Sequence, residues 1–292
     1  RSENRGEKDP IVIAGGPGAV APEPMAPFID AFCIGDGEVL VPDVLRVLHE
    51  MKGRSREEKI RVLSGIEGVY VPVMRPKKPV VRRIVEDLDS AFYNTEMIVP
   101  NTGIVHDRIA VQVFKGCTRG CRFCQAGMTD RPVRERSAAS VADQVEKLLK
   151  NTGWEEVGLL SLATCDWSGM GKILKRFEPM LKKNQIKLSL PSLRVDAFSV
   201  NMAAELETIR KGGLTFAPEA GTQRLRNVIN KGVTDSDIES ALEATFSHGW
   251  DRVKLYFMMG LPTEREDDLA GIHEICNRAV SIAKKHKRRG DV

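Results

Sequence analysis

The sequence predicts an α/β protein in which parallel strands are joined by helices, and two features support this class. Short apolar runs of the length of buried strands recur along the second half of the chain. Stretches with helical apolar spacing, several of them introduced by Ser or Thr, follow these runs. Repeated strand–helix units build an open or closed α/β barrel, whose functional residues lie at the carboxyl ends of the strands. The predicted strands are residues 110–114, 157–162, 186–190, 213–216 and 253–258.

The helices between these strands are predicted from capping residues and apolar faces. Ser140 is expected to cap one helix in a capping box with Asp143. Thr234 is expected to cap another helix, with Asp237 as its capping-box partner. Two more helices are predicted after Ser199 and over residues 267–286.

The first part of the chain carries a smaller α/β pattern. Apolar residues 11–14 and 31–34 predict two short strands, each followed by a glycine-rich turn. Residues 41–48 then present an apolar face with helical spacing. This alternation predicts the carboxyl-terminal part of a doubly wound α/β unit.

These patterns predict three segments. Residues 1–52 form the doubly wound part, and residues 109–292 form the barrel. Residues 53–108 are less regular, and we predict a connector that packs on the second domain. Residues 69–73 within it are predicted as an edge strand, because Pro72 cannot donate a ladder hydrogen bond.

Cys117, Cys121 and Cys124 lie within eight residues and are the strongest chemical signal in the sequence. A closed structural zinc site has four ligands, and so does an ordinary four-iron cluster. Three thiolates hold three irons of a cubane and leave the fourth iron open for a substrate or cofactor. The alternatives are three unrelated cysteines, or a zinc site that a distant histidine completes.

The run Gly116-Cys-Thr-Arg-Gly-Cys-Arg-Phe-Cys-Gln-Ala-Gly127 resembles the signature of radical S-adenosylmethionine (SAM) enzymes. It is most similar to uncharacterised members with an upstream cobalamin-binding-type domain. The resemblance implies a partial (β/α) barrel of the radical SAM type, preceded by part of a cobalamin-binding-like unit over residues 1–52. The family uses six strand–helix units and five are evident here, so the chain is expected to be a fragment, truncated at its carboxyl terminus.

The resemblance also implies the cofactors. The three cysteines are expected to hold a [4Fe-4S] cluster whose open iron binds the amino and carboxylate groups of SAM. One electron then cleaves the sulfonium to methionine and a 5′-deoxyadenosyl radical, and the protein orients the cofactors. An electron donor of the flavodoxin or ferredoxin type is implied. Cobalamin is expected only in the full-length protein, because the loop that would offer a histidine to cobalt is not found here.

Cofactor contacts are implied beside the cysteines and at the end of the second barrel strand. Phe123, just before the last cysteine, is expected to lie against the cofactor. The family often has Gly-Gly-Glu after the second strand, where it holds the amino group of SAM. This chain has Thr164 and Asp166 instead, and they are the candidates for that contact. Cys165 is either a reactive thiol or a small buried residue.

Further contacts are implied at the ends of the fourth and fifth strands. Glu219 is expected to accept hydrogen bonds from the ribose or the ammonium, and Arg224 to pair with the methionine carboxylate. Gly260 and Pro262 resemble a turn whose backbone contacts adenine. The alternative interpretations are a capped helix start with a surface salt bridge and an ordinary strand-exit turn. No residue is assigned to catalysis on the substrate.

Composition excludes several classes of protein. The chain of 292 residues has 42% hydrophobic residues, enough for a packed core, and no apolar run that predicts a membrane span. Its charged start does not resemble a signal peptide, and six cysteines are expected to be reduced thiols in a cytoplasmic protein. The net charge of +4 permits an RNA substrate as well as a small molecule.

Three functional hypotheses remain open from the sequence. The first is a radical SAM enzyme with an unknown substrate. The second is a non-enzymatic iron–sulfur or zinc-binding scaffold or an RNA-binding module, which would bind metal without cleaving SAM. The third is a fragment that is inactive alone.

Overall fold

The computed structural model of the protein describes residues 1–190, 193–197, 203 and 214–286. The chain forms two compact units, Arg1–Phe92 and Tyr93–Val292. The predicted connector, residues 53–108, is therefore divided between the two units. Its first part belongs to the first unit because it contributes a helix and a strand there.

The first unit is a three-stranded sheet with two helices. Its strands are β1 (Ile13–Ala14), β2 (Ala31–Cys33) and β3 (Val69–Tyr70), and its helices are α1 (Gly37–Glu50) and α2 (Arg56–Leu63). Strand β1 is parallel to β2, and β3 pairs with β2 in the antiparallel direction. Helix α2 was not predicted, although Ser55 and Glu58 form a capping box at its start.

The described residues of the second unit contain five parallel barrel strands and one small antiparallel pair. The barrel strands are β4 (Ile109–Gln112), β7 (Glu156–Leu160), β8 (Lys187–Ser189), β9 (Leu214–Glu219) and β10 (Val253–Phe257). Strands β4, β7 and β8 form one parallel sheet, and β9 and β10 form another. A parallel bridge between Leu193 and Phe216 also reaches β9. Strands β5 (Phe114–Lys115) and β6 (Arg134–Glu135) are antiparallel to each other. The predicted α/β class and the partial barrel are confirmed.

Helices connect the strands of the second unit. They are α3 (Gln125–Thr129), α4 (Ala138–Thr152), α5 (Met170–Lys183), α6 (Gln223–Val228), α7 (Asp235–Ser247) and α8 (Glu266–His286). Short 3-10 turns occur at Thr164–Asp166 and Val195–Ala197. The capping box of Thr234 and Asp237 is confirmed at the start of α7. The helix predicted after Ser199 lies outside the described residues, apart from residue 203.

The cap predicted for α4 is wrong. Ser137, not Ser140, is the N-cap residue, and its hydroxyl accepts a hydrogen bond from the Ser140 backbone N–H at 3.1 Å. Ser140 therefore lies in the first turn of α4. Two serines three residues apart offer two possible helix starts, and the pattern of the sequence does not choose between them.

Apolar side chains fill the space between the barrel strands and the helices. Val111, Leu159 and Phe216 project from the strands, and Val145 and Phe177 project from helices α4 and α5. All five are at most 1% exposed, so the strands are fixed on this side by close packing. Within the described residues, no helix has the length and apolar content that crossing a bilayer requires.

Candidate functional site

The cysteine loop begins where β5 ends, and it continues into α3. Gly116 makes the entry turn with a φ of 85°, and a Cβ atom there would lie 2.6 Å from the carbonyl oxygen of Pro132. Only glycine fits both this backbone conformation and this close approach. Cys124 is the N-cap residue of α3 and accepts a hydrogen bond at Sγ from the Gly127 N–H, at 3.2 Å.

All three cysteines of the loop are free thiols. Cys117 and Cys121 are buried, and Cys124 is half-buried. The backbone N–H of Arg119 donates to Sγ of Cys117 at 3.4 Å. Hydrogen bonds of this kind stabilise negative charge on sulfur, as a metal-binding thiolate requires.

Residues 228–230, at the end of α6, hold the cysteine loop from the other side. The Arg122 backbone N–H donates to the Ile229 carbonyl at 2.9 Å, and the Arg122 guanidinium donates to the Val228 carbonyl. The Asn230 amide donates to the Gly120 carbonyl at 2.7 Å. These bonds bring the loop of the first barrel strand against the segment that follows the fourth.

One cavity of about 240 Å³ is open to all three cysteines. Two residues predicted to bind the cofactor, Phe123 and Glu219, also line it. The remaining lining residues are Arg119, Gly127, Leu162, Leu193, Arg194, Thr215, Ala217, Lys231 and Tyr256. The cavity therefore joins the cysteine loop to one face of β9, which carries Thr215, Ala217 and Glu219, and to β10.

Glu219 is held in place by Lys231. The Lys231 Nζ lies 3.0 Å from Glu219 Oε1 and 5.9 Å from the ring centroid of Phe123. Glu219 has a φ of 71°, a conformation that costs energy for a residue with a Cβ atom. Its carbonyl accepts a hydrogen bond from the Met258 N–H at 2.8 Å, beside an irregularity in the β9–β10 pairing. A strained acidic residue at a strand end indicates a functional position.

A chain of ion pairs surrounds Arg119. Its guanidinium donates to both carboxylate oxygens of Asp166, each at 2.9 Å, and to Asp196 at 3.2 Å. Arg194 also donates to Asp196, at 2.9 and 3.1 Å, and to the Lys231 carbonyl at 3.0 Å. The bond to Asp166 raises the pKa of Arg119, which stays cationic beside the cysteines. These pairs tie the cysteine loop to the turn after β7.

The residues predicted to replace Gly-Gly-Glu have other partners. Thr164 is fully buried, and its hydroxyl lies 2.9 Å from the Ser161 hydroxyl. Both carboxylate oxygens of Asp166 accept hydrogen bonds from Arg119. Cys165 is half-buried, and burial raises the pKa of its thiol to about 12, which disfavours the reactive thiolate. Thr164 and Asp166 therefore shape the loop in this structure and do not line the cavity.

Arg224 lies apart from the predicted carboxylate site. Its guanidinium bonds to Asp268 at the start of α8 and donates to the Thr263 carbonyl at 2.9 Å. Asp268 is 2% exposed and also accepts hydrogen bonds from Thr222 and from the Arg265 backbone. Arg224 therefore anchors α8 in this structure, and its expected pairing with the methionine carboxylate stays a prediction.

The turn at Gly260 and Pro262 is closed by Glu264, and its expected contact with adenine stays a prediction. The carboxylate of Glu264 accepts the backbone N–H of Gly260 at 3.0 Å and that of Leu261 at 3.3 Å. Gly260 has a φ of 83°, which glycine adopts readily because it has no Cβ atom, and Pro262 is exposed. The Gly260 N–H is therefore already bonded within the turn, and neither residue lines the cavity.

Sequence reasoning missed five polar residues of the cavity. Arg119 lies between two cysteines and Lys231 lies in an Asn-Lys-Gly sequence after β9, so both had a positional signal. Arg194, Thr215 and Tyr256 had none, because nothing in their neighbouring sequence indicates a site. Within the described ranges, no three side chains of His, Cys, Asp or Glu are grouped as ligands of one metal ion.

Comparison with known families identifies the class of protein. Residues 1–72 match the description "Radical SAM proteins, N-terminal", and residues 111–276 match "Radical SAM superfamily". The second match covers more than half of the chain. The chain therefore belongs to the radical SAM superfamily of enzymes, as its cysteine loop indicates.

Curated relatives span most of this chain. An uncharacterized protein of Methanocaldococcus jannaschii is 29% identical over 280 residues, which are 95% of this chain and 57% of that protein. The anaerobic magnesium-protoporphyrin IX monomethyl ester cyclase of Cereibacter sphaeroides is 24% identical over 263 residues, which are 84% of this chain and 40% of that enzyme.

Solved structures share the fold at low sequence identity. The radical SAM methyltransferase TsrM of Kitasatospora setae, solved with cobalamin and a [4Fe-4S] cluster, has a TM-score of 0.70 at 16% identity. That alignment covers 91% of this chain and 55% of TsrM. The cobalamin-dependent radical enzyme OxsB has a TM-score of 0.64 at 16% identity, over 91% of this chain and 38% of OxsB. The chain thus spans little more than half of TsrM and of the archaeal relative.

Proposed function

We propose that Cys117, Cys121 and Cys124 hold a [4Fe-4S] cluster and that the protein cleaves SAM reductively. One observation carries the proposal: three free cysteines of one loop open onto the same cavity as Glu219 and Lys231. The donor set fits the cluster, because thiolates are its usual ligands and backbone N–H groups bond to two of these sulfurs.

The protein's residues have distinct tasks in this proposal. When bound, the cluster supplies the electron that cleaves SAM to methionine and a 5′-deoxyadenosyl radical. Glu219, fixed by Lys231, accepts hydrogen bonds from the ribose hydroxyls or from the ammonium of SAM. Phe123 forms an apolar wall beside the cysteines, which limits the access of water. Arg119 acts with Asp166 to fix the shape of the cysteine loop.

Several parts of the proposal concern the complete protein. The substrate is a small molecule or an RNA, and an electron donor of the flavodoxin or ferredoxin type reduces the cluster. The first unit corresponds to part of a cobalamin-binding-like domain, and cobalamin binding is proposed for the full-length protein only. Low-potential iron–sulfur chemistry suits a reducing compartment, so we place the protein in the cytoplasm.

Anaerobic reconstitution with iron and sulfide tests the cluster and the reaction together. The wild-type protein is expected to turn brown, to bind about four irons per chain, and to form 5′-deoxyadenosine from SAM with dithionite. Cys121→Ala is expected to lose the product. Cys276→Ala, which removes an exposed cysteine of α8, is the matched control and is expected to retain it. Equal product from both variants, or zinc in place of iron, would contradict the proposal.

SAM binding to the reconstituted protein tests Glu219. Replacing the carboxylate with an amide in Glu219→Gln is expected to weaken SAM binding about tenfold, because a charge-assisted hydrogen bond contributes about 1.5 kcal/mol or more. Glu239→Gln is the control, because Glu239 is an exposed residue of α7 that pairs with Arg278. Equal dissociation constants for the two variants, measured by equilibrium dialysis, would remove Glu219 from the proposed site.

A further inference from the structure

Lys254 and Tyr256 project from the face of β10 that turns away from the helices. Val253, Leu255 and Phe257 pack against the main core, and successive side chains of a strand point to opposite faces. Lys254 is the register partner of Thr215 on β9. Thr215 and Tyr256 both line the cavity of the cysteines. The inner face of the two strands therefore carries an ammonium and two hydroxyl groups.

The Lys254 side chain runs along Tyr256 toward the carboxyl end of β10. Its Nζ lies 3.5 Å from the Tyr256 hydroxyl oxygen and 5.5 Å from the centroid of the ring. Tyr256 lies two residues closer to that end of the strand and lines the cavity, so the ammonium lies beside a lining residue. Tyr256 is 51% exposed, so a ligand can reach this face.

Among the described residues, Lys254 has no carboxylate partner, whereas each cation that lines the cavity has one. Arg119 pairs with Asp166, Arg194 pairs with Asp196, and Lys231 pairs with Glu219. Across the part of the chain that the structure describes, no carboxylate oxygen lies within 4.0 Å of Lys254 Nζ. A lysine ammonium has three donors and no acceptor, and here one hydroxyl is its partner.

We propose that Lys254, Tyr256 and Thr215 bind an acidic group of the substrate, a carboxylate or a phosphate. The inference rests on the proposed function, because it assigns the substrate side of the same cavity. An acidic group beside Tyr256 accepts a charge-assisted hydrogen bond from Lys254 and hydrogen bonds from the two hydroxyls. The Tyr256 ring offers an apolar surface to the adjoining part of the molecule. The substrate therefore carries an acidic group that lies on the β9–β10 side of the cavity.

Lysine NMR tests this site without requiring turnover. All lysines are ¹³C-methylated, and the Lys254 signal is identified by its absence in Lys254→Met. Sodium phosphate and sodium acetate are added in separate titrations at constant ionic strength. The Lys254 signal is expected to shift saturably with at least one anion, and the tighter of the two identifies phosphate or carboxylate. The signal of Lys147, an exposed lysine paired with Asp143, is the control, and no saturable shift is expected from it.

Tyr256→Phe tests whether the hydroxyl takes part. This variant keeps the ring and is expected to raise the midpoint of the anion titration about fivefold, since a neutral hydrogen bond contributes about 1 kcal/mol. Its cooperative unfolding is compared with that of the wild type to confirm folding. A Lys254 signal that shifts no more than that of Lys147, or an unchanged midpoint in Tyr256→Phe, overturns the proposal. Anion binding without 5′-deoxyadenosine formation by the reconstituted protein overturns the proposed function instead.

Discussion

Lys231 places its ammonium 3.0 Å from the carboxylate of Glu219, and both side chains are largely shielded from water. The pair joins the end of β9 to the segment that holds the cysteine loop. Because the ammonium also lies over the Phe123 ring, one residue contacts both parts of the cavity. A shielded charge that loses its partner costs more energy than the pair contributes when it is intact.

The pair therefore predicts non-additive stability changes. Lys231→Met and Glu219→Gln are each expected to lower the free energy of unfolding by about 1–3 kcal/mol, because each leaves a shielded charge without its opposite charge. The double variant is expected to lose less than the sum of the two. Urea unfolding of the four proteins measures the difference. Additive losses would show that the two side chains do not interact. Lys147→Met is the control, because it removes one partner of an exposed ion pair.

Gly221 marks a close contact between the segment after β9 and helix α8. A Cβ atom at Gly221 would lie 2.3 Å from the Asp268 carbonyl oxygen and 2.4 Å from the Ile272 nitrogen. Backbone atoms of a helix do not move cheaply, so Gly221→Ala is expected to cost about 3 kcal/mol. Gly171→Ala is the matched control, because a Cβ there meets nothing within 4 Å at the start of α5. It is expected to stabilise the protein by up to about 1 kcal/mol. Thermal unfolding compares the two, and equal melting temperatures would contradict the predicted contact.

Cys165 is expected to resist alkylation in the folded protein. Burial raises the pKa of its thiol to about 12, so the thiolate fraction at pH 8 is roughly one part in ten thousand. Cys276 is exposed on α8 and is expected to react first with iodoacetamide. Peptide mass spectrometry after a short exposure at pH 8 measures both sites. Modification of Cys165 at the rate of Cys276 would show that the thiol is accessible.

Asp268 is expected to contribute to acid unfolding. Burial alone favours its protonated form, but hydrogen bonds from Thr222, Arg224 and the Arg265 N–H outweigh burial and lower the pKa of the carboxyl. The ionised carboxylate of Asp268 therefore stabilises the folded state. This stabilisation is complete above the ordinary aspartate pKa of about 4, and it is lost as the pH falls through the lower pKa of the folded protein. Asp268→Asn is therefore expected to be less stable at pH 7 and to lose less stability on acidification.

The neighbouring Asp267 supplies the control for this prediction. Asp267 is exposed in the same turn of α8, so Asp267→Asn is expected to keep the acid dependence of the wild type. Urea unfolding between pH 2 and pH 7 compares the three proteins. If the free energy of unfolding of Asp268→Asn falls with pH as steeply as that of the wild type, other carboxylates cause the loss of stability in acid.

Local sequence signals determined much of the fold. Apolar runs predicted the five parallel strands, and Thr234 with Asp237 predicted the start of α7, because such signals act between residues close in sequence. Cys117, Cys121 and Cys124 likewise indicated the superfamily from their spacing within one loop. Such features are set by residues that are already neighbours in the unfolded chain.

Only the tertiary structure decided the partners of the charged residues. Arg224 bonds to Asp268, 44 positions away, instead of lining the cavity, and Arg119 pairs with Asp166, 47 positions away. Lys231 lies against Phe123 because the loop after β5 and the segment after β9 meet at the same end of the barrel. A charged side chain can pair with any opposite charge that packing brings near. The choice among those partners is made by strand register and helix packing, which no short stretch of sequence contains.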